Sequence, residues 1–292
     1  MKNTFRIFCI VIVALIICSC EESNDKVIEN NGFEYYREKQ YEKALPLLEK
    51  AAREGDSDAP FYLGIMYDDG KGVEKDENIS FHWFETAAKN GNEYAYFIIG
   101  KRLFKGKGTE KNYKEALKWL KKSVDEGKNE NKKTYALIGI MYLKGLGTLS
   151  DPAESAKWFE KAAILGDSNA QALLASQYYD GQGILTNIEK ARYWAEKSAE
   201  QGDESGDYML GMIYEFRGAP ELDMEKAIAE YEKASGKGMP PATFRLAQIY
   251  DEGKGVGKNR KKALQLYKLA AKQGSVEAME KIREFEKASL AE

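Results

Sequence analysis

Groups able to do covalent or metal chemistry are sparse in this chain of 292 residues. All three cysteines, Cys9, Cys18 and Cys20, fall within the first twenty positions, and His82 is the only imidazole. A lone histidine beside Trp83 supplies neither a Cys/His metal site nor a nucleophile with its base, and packing on a half-exposed helix face accounts for it. Neighbouring carboxylates such as Asp68 with Asp69, or Asp25 with Glu29, are ordinary solvated pairs in a chain that is 31% charged. Gly-x-Gly recurs at Gly70 and Gly72, Gly106 and Gly108, Gly145 and Gly147, Gly181 and Gly183, and Gly253 and Gly255. Such a pair cradles phosphate when a strand precedes it and a lysine or acidic partner stands at a set distance. Here a helical pattern precedes it and the pair returns five times, so the glycines serve tight turns between helices. No catalytic residue, metal site or cofactor is expected.

The elements holding these loops follow from a repeat. Asp76, Asn112, Asp151, Asn187, Asp223 and Asn259 each precede an apolar-periodic run, and Gly91, Gly127, Gly166, Gly202, Gly238 and Gly274 each stand fifteen residues later. The interval between units is 36 residues, with a single 39 between the second and third. Asp or Asn before the run predicts a helix N-cap, and the glycine predicts a left-handed position after its last turn. Within that second helix of each unit, small residues four and eleven after the cap share a face with Trp83, Trp119, Trp158 and Trp194. A first helix, starting at the small column Ala59, Ala95, Thr134, Ala170, Gly206 and Ala242, carries apolar residues at offsets four, seven and eight. The fold class expected is all-α, an α-solenoid superhelix of stacked antiparallel helix pairs.

The set Ala59, Leu63-Gly64, Met66-Tyr67, Gly70, Gly72, Asp76, Trp83-Phe84, Ala87-Ala88 and Gly91 resembles the Sel1-like repeat, a long-loop relative of the tetratricopeptide repeat. The resemblance covers residues 56–274 as six repeats: 56–91, 92–127, 128–166, 167–202, 203–238 and 239–274. Residues 30–55 look like an ordinary tetratricopeptide helix pair, and 275–292 read as a capping helix. The likeness implies a scaffold that binds or assembles other proteins and generally lacks catalysis. Some Cys-rich relatives bind or hydrolyse β-lactams, but they carry a disulfide in each repeat, and no cysteine lies beyond Cys20 here. The fifth repeat lacks the loop glycines, having Arg217, Gly218, Ala219 and Pro220 in their place, which predicts faster hydrogen exchange across 217–223 than at the other loops.

At the N-terminus, Lys2 and Arg6 precede an apolar run, Ile7 to Cys18, that is too short to span a bilayer and has the form of an export signal. Ile17-Cys18-Ser19-Cys20 resembles a bacterial lipobox, which implies removal of 1–19 and acylation of Cys20. Three acyl chains, at about 0.8 kcal/mol per buried CH₂, would hold the protein permanently. Residues 20–29 then form a short tether, and its acidic start at Glu21 and Glu22 is similar to the signal that sends some bacterial lipoproteins to the cell surface; a plain solvated tether fits equally well. The expected location is the bacterial cell envelope, lipid-anchored at the outer membrane, on its periplasmic or surface face.

Losing Lys2 and Arg6 takes the formal charge from −3 to −5, and the remaining basic residues are mixed with Glu throughout, so no nucleic-acid surface is suggested. A monomeric array is expected. By analogy with tetratricopeptide geometry, offsets two, three, six and nine of each first helix line the inner curve. They name Phe61, Tyr62, Asp68, Phe97, Lys101, Phe104, Ile140, Leu143, Ser176, Tyr179, Met212, Glu215, Arg245, Gln248 and Asp251 as candidates for binding a protein or peptide, with packing between helices as the competing role of offsets two and three. Aromatic rings beside carboxylates would also suit a glycan or peptidoglycan, and a β-lactam-directed activity is the most distant alternative.

Overall fold

The computed structural model describes residues 32–126, 131–216 and 223–290, and within them every regular element is a helix. The chain divides into two compact units, Met1–Glu130 and Asn131–Glu292. The first holds α1 (32–37), α2 (Tyr41–Arg53), α3 (Ala59–Asp69), α4 (Glu77–Lys89), α5 (Glu93–Lys105) and α6 (Tyr113–Asp125). The second holds α7 (Lys132–Lys144), α8 (Pro152–Ile164), α9 (Ser168–Asp180), α10 (Ile188–Glu200), α11 (Glu204–Glu215), α12 (Met224–Gly236), α13 (Pro240–Glu252), α14 (Arg260–Lys272) and α15 (Val276–Leu290). Inside each unit, consecutive helices pack as pairs and pairs stack on pairs, the expected solenoid construction.

The predicted caps form. Asp76, Asn112, Asp151, Asn187, Asp223 and Asn259 each accept a hydrogen bond from a backbone N–H in the first turn of α4, α6, α8, α10, α12 and α14. Gly91, Gly166, Gly202, Gly238 and Gly274 take positive φ one residue past the C-cap. The first helices differ from expectation at their start. Most begin two residues before the small column, because a second set of caps, Asn92, Asn131, Asp167 and Asp203, catches their first N–H groups. The fifth repeat departs as its sequence suggests: α11 ends in extended backbone at Phe216, where the other first helices of the Gly-x-Gly repeats end in left-handed glycine.

Size complementarity fixes how the two helices of a pair meet. A Cβ on Gly64, Gly100, Gly139 or Gly211 would lie 2.5–2.8 Å from the ring or branch of Phe84, Leu120, Phe159 or Tyr231, so a missing side chain on one helix seats a large one on the next. The hydroxyls of Ser80 and Ser155 donate to the carbonyls of Gly64 and Gly139 at the same crossings, which satisfies two buried polar groups. The export segment with Cys20, residues 127–130 of the polar insert around Lys128 to Lys133 that lengthens the 39-residue interval, and the loop 217–222 lie outside the described residues.

Candidate functional site

In the first unit most of the inner-curve aromatics pack on rings from outside those columns. Tyr62 meets Phe33 and Tyr36 edge-on at 5.2 and 4.8 Å, while Phe61 packs on Phe84 and Tyr94 at 5.6 and 6.2 Å. Phe104 packs on Tyr113 at 5.4 Å, and the Lys101 ammonium lies 5.8 Å from the Phe97 ring. Asp68 accepts from Arg102 Nη2 at 2.8 Å and from Lys107 Nζ at 2.7 Å. Burial opposes ionisation of Asp68, but the hydrogen bonds from Lys107 and Arg102 outweigh it and lower its pKa.

The second unit brings the predicted residues together more openly. Ile140 and Leu143 on α7 are half-buried, and Ser176 Oγ donates to Asp180 at 3.2 Å. On α9, α11 and α13, three first helices in succession, Tyr179, Met212, Glu215, Arg245 and Gln248 converge on two adjoining clefts. One, of about 420 Å³, is lined by Tyr179, Tyr208, Met212, Glu215, Phe216, Tyr231, Arg245 and Lys254. The other, of about 410 Å³, takes Pro240, Pro241, Phe244 and Gln248 with the start of α15, and shares Tyr208 and Arg245 with the first. Asp251 is not among the lining residues of either.

Glu215 is the electrostatic centre. Its Oε2 accepts from Arg245 Nε at 2.8 Å and from the Tyr231 hydroxyl at 2.9 Å, and its Oε1 from Arg245 Nη2 and Lys254 Nζ. Arg245 Nη1 donates onward to Gln248 Oε1 at 2.8 Å. Burial alone would raise the Glu215 pKa; the bonds from Arg245, Lys254 and Tyr231 reverse this and hold it at about 2. Arg245 is raised above its ordinary value by its bond to Glu215, and Tyr231 by burial first and the Glu215 charge second. Burial also raises Tyr179 and Tyr208, so both phenols keep their protons at neutral pH.

Three contributors escape the inner-curve columns. Lys254 sits between the glycines of a loop, Tyr231 lies on a second helix, and Phe216 caps α11. A signal for Lys254 was present, since Lys71, Lys107 and Lys254 occupy the same loop position. Tyr231 reaches the cleft because its ring crosses Gly211. Among the described residues, no group of three or more His, Cys, Asp or Glu could hold a metal ion, and no helix is long and apolar enough to cross a membrane.

Helix pairs in a near-constant period, joined by glycine loops and presenting clefts on successive first helices, define a solenoid repeat protein of the kind that mediates protein–protein interaction. The Sel1 repeat model matches residues 30–56, 57–92, 93–128, 134–167, 168–203, 205–239 and 240–275. The chain therefore belongs to the Sel1 repeat family, whose members are mainly non-enzymatic scaffolds. The matches include 30–56, the stretch whose pattern resembles a tetratricopeptide pair. It is similar to a protective antigen of uropathogenic Escherichia coli with an SLR fold, at 32% identity and TM-score 0.71 over 90% of this chain. This chain spans 56% of that protein's length. A Sel1 repeat protein from Oxalobacter formigenes is 30% identical, with TM-score 0.65, over 83% of this chain and 96% of its own. No curated protein matches.

Proposed function

We propose that this protein is a lipid-anchored scaffold of the bacterial envelope that captures a polypeptide in the paired clefts on α9, α11 and α13. The observation that carries the binding reading is the convergence of Tyr179, Tyr208, Met212 and Phe216 around a fixed charge centre. Concave apolar walls with a few oriented polar groups are what a bound side chain requires. A glycan is the weaker occupant, because sugar hydroxyls donate as well as accept and the one carboxylate lining the first cleft, Glu215, already accepts two bonds at each oxygen. The lipobox-like run ending at Cys20 supports the anchor, and the protective-antigen role of the Escherichia coli relative accords with an exposed location.

A photo-crosslinking residue at position 208, compared with one at the exposed Lys118, tests the binding site in intact cells. A discrete protein adduct is expected at 208 alone, and it should vanish on Met212→Asp. Equal labelling at both positions, or adducts to cell wall only, would move the site or replace the reading by the glycan one. Fractionation of Cys20→Ser tests the anchor: the variant should leave the membrane fraction, and retention there would sink the lipid attachment.

A further inference from the structure

We infer that the segment captured by the first cleft is acidic, an Asp or Glu side chain beside an apolar one, an inference that rests on the proposed binding reading. Donor and acceptor counts in the cleft point this way. An ammonium has three N–H donors and a guanidinium five. Lys254 spends one on Glu215, and Arg245 spends two on Glu215 and one on Gln248, which leaves two on each cation without a partner among the described residues. The Tyr179 and Tyr208 hydroxyls have no hydrogen-bond partner among the described residues, and burial keeps each as an O–H donor. Against these stands a single carboxylate, Glu215, each of whose oxygens already accepts two bonds. Among its side chains the lining thus offers unspent donors and no strong acceptor left over but the phenol oxygens.

Charge agrees with the count. Glu215, Arg245 and Lys254 are the charged residues of the lining and sum to a formal charge of one positive unit. From outside the lining, Asp180 acts on both Tyr179 and Tyr208 and Glu252 acts on Arg245, with Asp180 engaged by Ser176. A partner carboxylate is therefore favoured beside Lys254 and Arg245 and disfavoured towards Asp180 and Glu252. Met212, Phe216 and the Tyr179 ring, which meets Phe216 edge-on at 5.5 Å, provide the wall for the neighbouring apolar side chain. A volume of about 420 Å³ holds both groups.

The test is selection of a phage-displayed random dodecapeptide library on the full chain, then fluorescence anisotropy with the enriched peptide and its amide isostere, Glu to Gln or Asp to Asn. Enrichment of Asp or Glu next to an apolar residue is expected. The isostere should bind about tenfold or more weaker, as for loss of a charge-assisted bond, and the acid peptide should weaken as salt rises. Lys254→Gln should weaken the acid peptide about tenfold and the isostere less, while Lys254→Glu should favour a Lys-bearing peptide. Acid and isostere binding equally, with both lost on Met212→Asp, would overturn the acidic specificity and leave the cleft standing. Binding indifferent to Met212→Asp and Tyr208→Ser would overturn the cleft itself, and a library yielding no binder would overturn both.

Discussion

Two carboxylates occupy the same slot, the ninth residue after the small column of a first helix, and meet a loop lysine 39 residues on: Asp68 with Lys107 in the first unit, Glu215 with Lys254 in the second. Their arginines come from different columns, and that decides what each cluster is for. Arg102 rises from the buried stripe, its side chain 5% exposed and its guanidinium 5.0 Å from the Phe84 ring, so the arginine of the Asp68 cluster is shut inside packing while Asp68 and Lys107 stay partly exposed. Arg245 comes from the inner-curve column, is 27% exposed and lines both clefts. Both links brace neighbouring repeats, and they differ in the arginine, which is buried in the first and partly exposed on the cleft wall in the second. In this chain the stripe of the helix that supplies the arginine decides whether that cation is buried in packing or reaches a cleft.

The comparison breaks most visibly at the loops. Gly108 has φ +69°, and a Cβ there would stand 1.9 Å from the Glu77 carbonyl oxygen, so Gly108→Ala should cost about 3 to 5 kcal/mol in urea unfolding. At Gly255, also left-handed at φ +73°, the added atom meets the Met224 Cβ at 2.4 Å in place of backbone, and Gly255→Ala should cost less, about 2 to 3 kcal/mol; a larger cost than at Gly108 would reverse the order. Asp68→Ala strands the buried Arg102 and should destabilise by about 3 kcal/mol, read as faster hydrogen exchange in α3 and α5. Glu215→Gln leaves Arg245 able to reach water and should cost about 1 to 2 kcal/mol, with exchange changes confined to α11 and α13.

Acid gives the smallest and most specific readout. Because the folded pKa of Glu215 lies below its ordinary 4.5, its contribution is complete above that value and is lost as pH falls through 4.5 towards about 2. Asp68 acts in the same direction. The slope of stability against pH across that window should flatten in Glu215→Gln, and an unchanged slope would show that the link contributes nothing there.

Much of the framework was legible in the sequence because it repeats. Asp76 and its five equivalents announce helix starts through one mechanism, and Gly91 and its equivalents announce the ends. The second caps were legible too, as the Asn or Asp directly after Gly91, Gly166 and Gly202, although the small column beside them suggested a later start. The cleft was only half legible. Column positions brought Tyr179, Met212, Glu215 and Arg245 forward, but Lys254 and Tyr231 reach Glu215 across a period plus three and through the gap at Gly211, relations that appear only once helices are stacked. The same columns put Phe61 and Tyr62 on the list, where edge-to-face contacts with neighbouring rings occupy them.

The second glycine of four loops has a further consequence. Gly72, Gly108, Gly183 and Gly255 lie against Tyr41, Glu77, Pro152 and Met224, in each case the opening residue of the previous unit's second helix. Each loop is therefore keyed to the repeat before it by the close approach of a glycine, itself without a side chain, to the opening turn of a helix. Recombination between units would preserve that fit whenever it exchanged whole periods, whatever sequence lined the clefts, so the array can be lengthened or reshuffled without relearning how to stack.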